Sequence, residues 1–307
     1  VTVSVQSKGN STKKKGGRIK KRRAFSAKEK RAILSIVRRA IKEDLGKGDI
    51  TTDPIVPPDR QALAIIFPKQ DGILCGIDFA EMVFREIDKN IDYQRKIKDG
   101  SAISPGETLA TIIGSAAACL KGERTALNIL QHLSGIATLT REYVSASENL
   151  IKILDTRKTL PGLRVMEKYA VRIGGGHNHR FGLYDMVLIK DNHIEIAGGI
   201  TPAVQAIRGH AEHTFIEVEV RSSNELEEAL SLQVDRIMLD NMNAHQIKEA
   251  VKMIRERSDT IEIEVSGGIT IRTVKEIAES GIDLVSVGAL THSAPAIDIS
   301  MKIKLLE

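Results

Sequence analysis

DRIMLDNMNAHQIKEAVKMIRERSDTIEIEVSGGI (residues 235–269) holds the repeating unit of this chain. Two short β-rich runs, DRIMLD (235–240) and IEIEV (261–265), flank NAHQIKEAVKMIRER, whose apolar residues recur at helical spacing. Strand, helix, strand in that order implies parallel strands joined by a right-handed crossover. The rhythm extends in both directions. Further strand-like runs stand at IKILD (151–155), MVLIK (186–190), FIEVEV (215–220) and DLVSVG (283–288). Helical patterns lie between them in PGLRVMEKYAVRI, TPAVQAIRG, SSNELEEALSL and TIRTVKEIAES. Six such units predict an α/β fold, either an incomplete barrel of the TIM type or a doubly wound open sheet. Polar groups recur at the same end of nearly every strand and no GxGxxG follows a first strand, so the open barrel is the better reading.

Upstream the text changes. KEKRAILSIVRRAIKEDLG places Ile33, Ile36, Val37, Ala40 and Ile41 on one helical stripe that Gly46 ends, so ordered structure is expected from Ala27. From Asp49 to Ala118 a proline-rich turn (DPIVPPD) and the strand-like ALAIIF, GILCG and TLATII suit a smaller α/β body. GERTALNILQHLSGIATLTREYV then reads as one or two helices. Residues 8–31 carry twelve Lys/Arg and one acid; the rest of the chain holds 33 basic against 39 acidic groups, a formal −6 beneath the overall +5. The basic character belongs to a tail, residues 1–26, with too little apolar content to fold. Such a tail can touch nucleic acid or an anionic surface nonspecifically. Nucleic acid is not an expected partner of the fold itself, because aromatics are only 3% of the chain and offer no stacking platform.

The longest run free of charged residues, Thr125 to Thr140, falls short of the ~20 apolar residues of a membrane span. Two cysteines, Cys75 and Cys119, supply neither a disulfide framework nor a metal cluster, which points to a reducing cytosol.

In a parallel barrel the strand ends converge on one mouth. Here they deliver Asp155-Thr156-Arg157-Lys158, then Lys190-Asp191-Asn192-His193, then Glu217 and Glu219 with Arg221, then Asp240-Asn241. The last two strands run into Ser266-Gly267-Gly268 and Gly288-Ala289. Strands covered on both faces are usually apolar throughout, so acids at 217 and 219 need a cation, metal or hydroxyl to meet. Glu262 and Glu264 repeat the pattern with no evident role beyond structural pairing. The two glycine turns let backbone N–H groups approach an anion, and the first is expected to open a helix. GGGHNHR (174–180) is a poor metal site: His177, His179 and a distant His193 have no carboxylate in the segment, and Arg180 opposes a metal's charge. It lacks the phosphate-loop pattern too. It reads instead as a flexible turn presenting His179 and Arg180 to a carboxylate-bearing ligand.

Together EDLGKGDITTD (43–53), GERTALNILQHLSGIAT (122–138), DTRKTLPGLRVMEKYAVRIGGGHNHRFGLYDMVLIKDNH (155–193), VEVRS, LDNM, VSGGIT and SVGALTHSAP resemble the quinolinate phosphoribosyltransferases, over roughly residues 33–300. The resemblance implies an N-terminal α/β sandwich domain (27–137, joined by 292–307) and an open α/β barrel (138–291) carrying the active site. It implies a homodimer or a hexamer of dimers, and Mg²⁺-dependent decarboxylating transfer from phosphoribosyl pyrophosphate to quinolinate. By the family pattern Arg157, Lys158, His179 and Arg180 bind quinolinate, joined by Arg124 of a neighbouring subunit. Lys158, Lys190, Glu219 and Asp240 serve the reacting centre, with Glu219 and Asp240 holding the ribose hydroxyls and Mg²⁺. Ser266, Gly267, Gly268 and Gly288 cradle the 5′-phosphate. Leu160 departs from the pattern, which has Thr there, and His177 stands at a position expected to vary.

Overall fold

The computed structural model describes residues 25–211 and 214–307, so the basic tail and its expected contacts lie almost wholly outside the described residues. Helix α1 (Ala27–Leu45) starts where Ser26 accepts the Glu29 N–H at 3.2 Å and the Glu29 carboxylate accepts the Ser26 N–H at 2.8 Å. Its buried stripe is Ile33, Ile36 and Val37, and Gly46 caps its end. There follow α2 (Thr52–Ile55), β1 (Gln61–Pro68), β2 (Gly72–Ile73), α3 (Ile77–Ile87), β3 (Asp92–Arg95), β4 (Ala102–Ile103), β5 (Ala110–Ser115) and α4 (Ala116–Ala146). Strand β1 buries alternate residues, Ala62, Ala64 and Ile66, as a one-sided sheet requires. The stretch read as one or two helices is a single helix of 31 residues. It packs against α3 and also touches the barrel elements, so one rod serves both layers.

The alternating region yields β6 (Lys152–Leu154), α5 (Arg164–Gly174), β7 (Val187–Ile189), α6 (Asp191–Ala197), α7 (Ile200–His210), β8 (Ile216–Val220) and α8 (Ser223–Ser231). It continues with β9 (Arg236–Asp240), α9 (Ala244–Arg257), β10 (Glu262–Ser266), α10 (Val274–Ala278), β11 (Leu284–Ser286) and α11 (Ala289–His292). All six strands are parallel, in the order β6-β11-β10-β9-β8-β7. The end strands β6 and β7 are not bonded to each other, which is the open barrel. Their apolar faces meet the flanking helices: Ile216, Val218 and Val220 of β8 are all buried.

Strand β12 (Ile299–Leu305) returns to the first sheet. It pairs antiparallel with β1 from Ala62↔Leu305 to Pro68↔Ile299, completing the order β12-β1-β5-β3. On the way back the chain presses on α4, where a Cβ on Gly135 would stand 2.1 Å from the Pro295 carbonyl oxygen. Backbone against backbone cannot yield as side chains do. Gly135→Ala is therefore expected to destabilise the fold by about 2–3 kcal/mol or more. Gly209→Ala, in open space near the end of α7, should be neutral or stabilising by up to about 1 kcal/mol. Urea denaturation of both variants checks the contrast; equal stabilities would refute it.

Candidate active site

A cleft of about 820 Å³ opens at the C-terminal ends of the barrel strands, and every strand contributes to it. Past β6 come Arg157 and Lys158, past β7 Lys190, and from β8 Glu219. Asp240 ends β9, Ser266, Gly267 and Gly268 lie at the end of β10, and Gly288 follows β11; all line the cleft, with His179 and Arg180. Arg124 is the exception among the site residues that the family pattern implied. It is exposed on α4 and does not line the cleft of its own chain.

GGGHNHR is not a flexible turn. His177 makes a parallel bridge to Leu154, extending the sheet beside β6: its N–H reaches the Ile153 carbonyl at 2.8 Å, and its carbonyl takes the Asp155 N–H at 3.2 Å. Asp155, fully buried, then staples the next residues. One carboxylate oxygen accepts Lys168 Nζ and the His179 N–H at 2.9 Å; the other accepts the Asn178 amide at 2.5 Å. Burial pushes the Asp155 carboxyl up and the Lys168 ammonium down, while each partner's charge works against that shift. His179 and Arg180 are thus fixed by a buried ion pair that the spacing of glycines did not reveal.

The Arg157–Lys158 loop is held by its backbone. Thr291 Oγ1 donates to the Lys158 carbonyl at 2.7 Å, Arg164 Nη2 to the Arg157 carbonyl at 3.3 Å, and the Leu160 N–H to Glu167 at 3.2 Å. Leu160 thus serves the loop through its backbone and leaves its side chain half-exposed. Arg180 is buried, and its guanidinium donates to the Met186 carbonyl at 3.3 Å. Burial lowers its pKa, and the like charge of Arg157 lowers it further. Two cations set close enough to repel are a place prepared for an anion.

Across the cleft Glu219 meets Lys190 and Arg221. Arg221 lies 3.3 Å from both Glu219 and Asp240, and Asn241 donates to Asp240 at 2.8 Å. Sequence reasoning left Arg221 and Asn241 without a role; their positions directly after strand ends were the available signal. At the third side Gly267 and Gly268 take φ +90° and +65°, where side chains are strained. A Cβ on Gly267 would also meet the Asn241 amide oxygen at 2.2 Å. The helix expected to open here starts only at Val274, so the loop itself, not a helix end, lines the cleft.

His177, His179 and His193 do not form a metal set. His193 Nδ1 accepts the Lys190 N–H at 2.9 Å at the start of α6. Among the described residues, the one group of three such donors close enough to share an ion is His179, Glu217 and Glu264, within 4.8 Å of one another.

A family model for the quinolinate phosphoribosyl transferase C-terminal domain matches residues 136–302, and one for the N-terminal domain matches residues 49–134. The chain belongs to the quinolinate phosphoribosyltransferase family. It is 44% identical over 265 residues to the probable nicotinate-nucleotide pyrophosphorylase (carboxylating) of Bacillus subtilis, covering 86% of this chain and 90% of that one. It is 42% identical over 291 residues to quinolinate phosphoribosyltransferase (decarboxylating) 2b, mitochondrial, of Nicotiana tabacum, covering 88% and 82%. The solved structure of NadC from Streptococcus pyogenes superimposes with a TM-score of 0.85 at 43% identity, covering 90% of this chain and 97% of that one.

The staple makes a prediction in this family member. Lys168→Met leaves Asp155 charged, buried and unpaired, and should cost about 3–5 kcal/mol. Adding Asp155→Asn to Lys168→Met should recover part of that loss in urea unfolding, and strict additivity of the two changes would refute the pairing.

Proposed function

We propose that the cleft transfers the phosphoribosyl group of phosphoribosyl pyrophosphate to quinolinate and releases carbon dioxide, giving nicotinate mononucleotide and pyrophosphate for NAD biosynthesis. The observation that carries this is the sorting of charge by strand order. Around the mouth, the open seam between β6 and β7 bears Arg157, Lys158, Lys190, His179 and Arg180. Strands β8 and β9 bear Glu219 and Asp240, and β10 and β11 bear the glycine turns. A ring with two carboxylates suits the first sector, ribose hydroxyls the second, and a 5′-phosphate the third.

Glu219 and Asp240 offer hard oxygen donors, bridged at 3.3 Å by the single guanidinium of Arg221. That donor set fits Mg²⁺. When bound, the ion offsets charge on the pyrophosphate leaving group. The chain's own residues do the rest. Arg157, Lys158 and Arg180 fix the carboxylates so that the pyridine nitrogen faces the ribose C1. Lys190 lies where negative charge grows on the departing pyrophosphate. Ser266, Gly267, Gly268 and Gly288 hold the 5′-phosphate by backbone N–H groups. Once the nitrogen is bonded to C1, its positive charge stabilises the electron pair left on the adjacent carbon as carbon dioxide departs, and that carbon then takes a proton from water. No side-chain nucleophile is required.

Arg124 belongs to the cleft of a second copy in this reading, since it is exposed and absent from its own. The assembly is a homodimer, alone or as a hexamer of dimers. The catalytic body is the barrel, 138–291, with 27–137 and 292–307 as the body that lends Arg124. No helix among the described residues is long and apolar enough to cross a membrane. Cys75 and Cys119 are both buried, and two cysteines are too few for a disulfide framework, which supports placing the protein in a reducing cytosol.

Incubation with quinolinate, phosphoribosyl pyrophosphate and Mg²⁺ should yield mononucleotide and carbon dioxide in equal amounts. Equal turnover of nicotinate with no carbon dioxide would replace quinolinate as the substrate. Arg180→Ala should lower kcat/KM about a hundredfold or more while the protein stays folded; unchanged efficiency removes Arg180 from the site. Mixing inactive Arg124→Ala and Arg157→Ala subunits should restore partial activity, and confirmed heterodimers without recovery would argue against a shared site.

A further inference from the structure

Behind His179 the barrel interior holds a group of charges that the proposed reaction does not use. Glu217 of β8 and Glu264 of β10 are both fully buried. Arg236 of β9 approaches them from one side, with Nη1 3.2 Å from Glu264 and 3.7 Å from Glu217; it also pairs with Glu262 at 2.6 Å. From the other side His179 Nε2 stands 3.2 Å from Glu217 Oε2 and 3.5 Å from Glu264 Oε1, shared between them and aligned on neither.

Two features show which way the imidazole works. Its second nitrogen, Nδ1, accepts the backbone N–H of Arg180 at 2.8 Å. Both ring nitrogens therefore look into the protein, one at the acids and one at the residue that follows. In addition, desolvating two buried carboxylates is costly, and ion pairs in such places add little net stability to a fold. The acids are better explained by what they hold than by what they add to the core.

We infer that His179 is a positioning residue: Glu217 and Glu264, anchored by Arg236, fix its ring, and the ring in turn fixes the backbone and side chain of Arg180 against the diacid. This rests on Arg180 receiving quinolinate. It departs from the family-based expectation that His179 itself binds the substrate. The Arg180 N–H directed at Nδ1 leaves the ring proton on Nε2, facing the two acids. Burial opposes a second proton on the ring and the two acids favour one, raising the pKa to about 9, but the geometry at Nδ1 stands against it. A proton on Nδ1 would have to displace the Arg180 N–H.

Side-chain geometry supplies the test. In His179→Asn the amide oxygen takes the place of Nδ1 and can still accept the Arg180 N–H, while the ring and any charge are gone. His179→Asn, which keeps that acceptor but gives up the hold of the two acids, is expected to raise the KM for quinolinate only severalfold. His179→Ala should raise it about tenfold or more, with KM for phosphoribosyl pyrophosphate unchanged in both. Asn as impaired as Ala overturns the inference and makes the ring a direct ligand of the diacid. Glu264→Gln keeps the shape but drops the charge, and should raise the quinolinate KM severalfold. A lower melting temperature with unaltered KM would make the acids merely structural. Nitrogen NMR of the wild-type ring should show Nδ1 unprotonated at neutral pH; a doubly protonated ring overturns the assignment. Stoichiometric zinc in the purified protein, lost in Glu264→Gln, would do so as well. Wild-type turnover of quinolinate tests the underlying reaction separately from these ratios.

Discussion

Asp155 is buried and charged at the end of the first barrel strand, and the geometry of the cleft follows from satisfying it. Lys168 reaches it from α5, Asn178 and the His179 N–H from the segment beyond. A carboxylate in that position is tolerated only if its donors are held still. The same bonds therefore fix the backbone that bears His179 and Arg180, at the seam where the barrel fails to close. An open sheet edge, ordinarily a weak point, becomes the best-secured wall of the site.

The cleft as a whole balances opposing needs. Cations gathered on one side of the cleft repel one another, and so do the acids Glu219 and Asp240. Arg221 and Lys190 meet the acids, whereas Arg157 and Arg180 form no close ion pair among the described residues, and Glu217 and Asp185 act on Arg180 only at longer range. Such an arrangement favours a ligand that carries its own negative charge, because binding relieves repulsion that the fold sustains. The carbonyl-gripping contacts from Thr291, Arg164 and the Glu167 tether keep the Arg157–Lys158 loop from relaxing away from that repulsion.

Much of this was legible in the sequence. Strand and helix periods placed all six parallel strands within a residue or two, because a parallel strand packed against helices must be apolar and a crossover helix amphipathic. The polar residues at strand ends foretold the cleft, since a barrel gives such residues one destination. What escaped was what depends on contacts distant in sequence. GGGHNHR looked mobile because glycine permits mobility, yet Asp155 and Lys168, 19 to 24 and 6 to 11 residues before its glycines and histidines, remove it. Glu264 had no visible purpose because its partners, Arg236 and His179, lie on other elements. Arg221 was visible but not its task, which needs Glu219 and Asp240 brought to either side of it.

The return of β12 to the first sheet bears on how the chain is made. As synthesis proceeds from the N-terminus, β1 is made before the barrel with one edge lacking its neighbour, and the strand that covers it, β12, follows the barrel. That exposed edge must wait while the entire barrel is produced. Chains interrupted before Ile299 should therefore be the sticky ones, since the first-made layer becomes whole only when β12 is added.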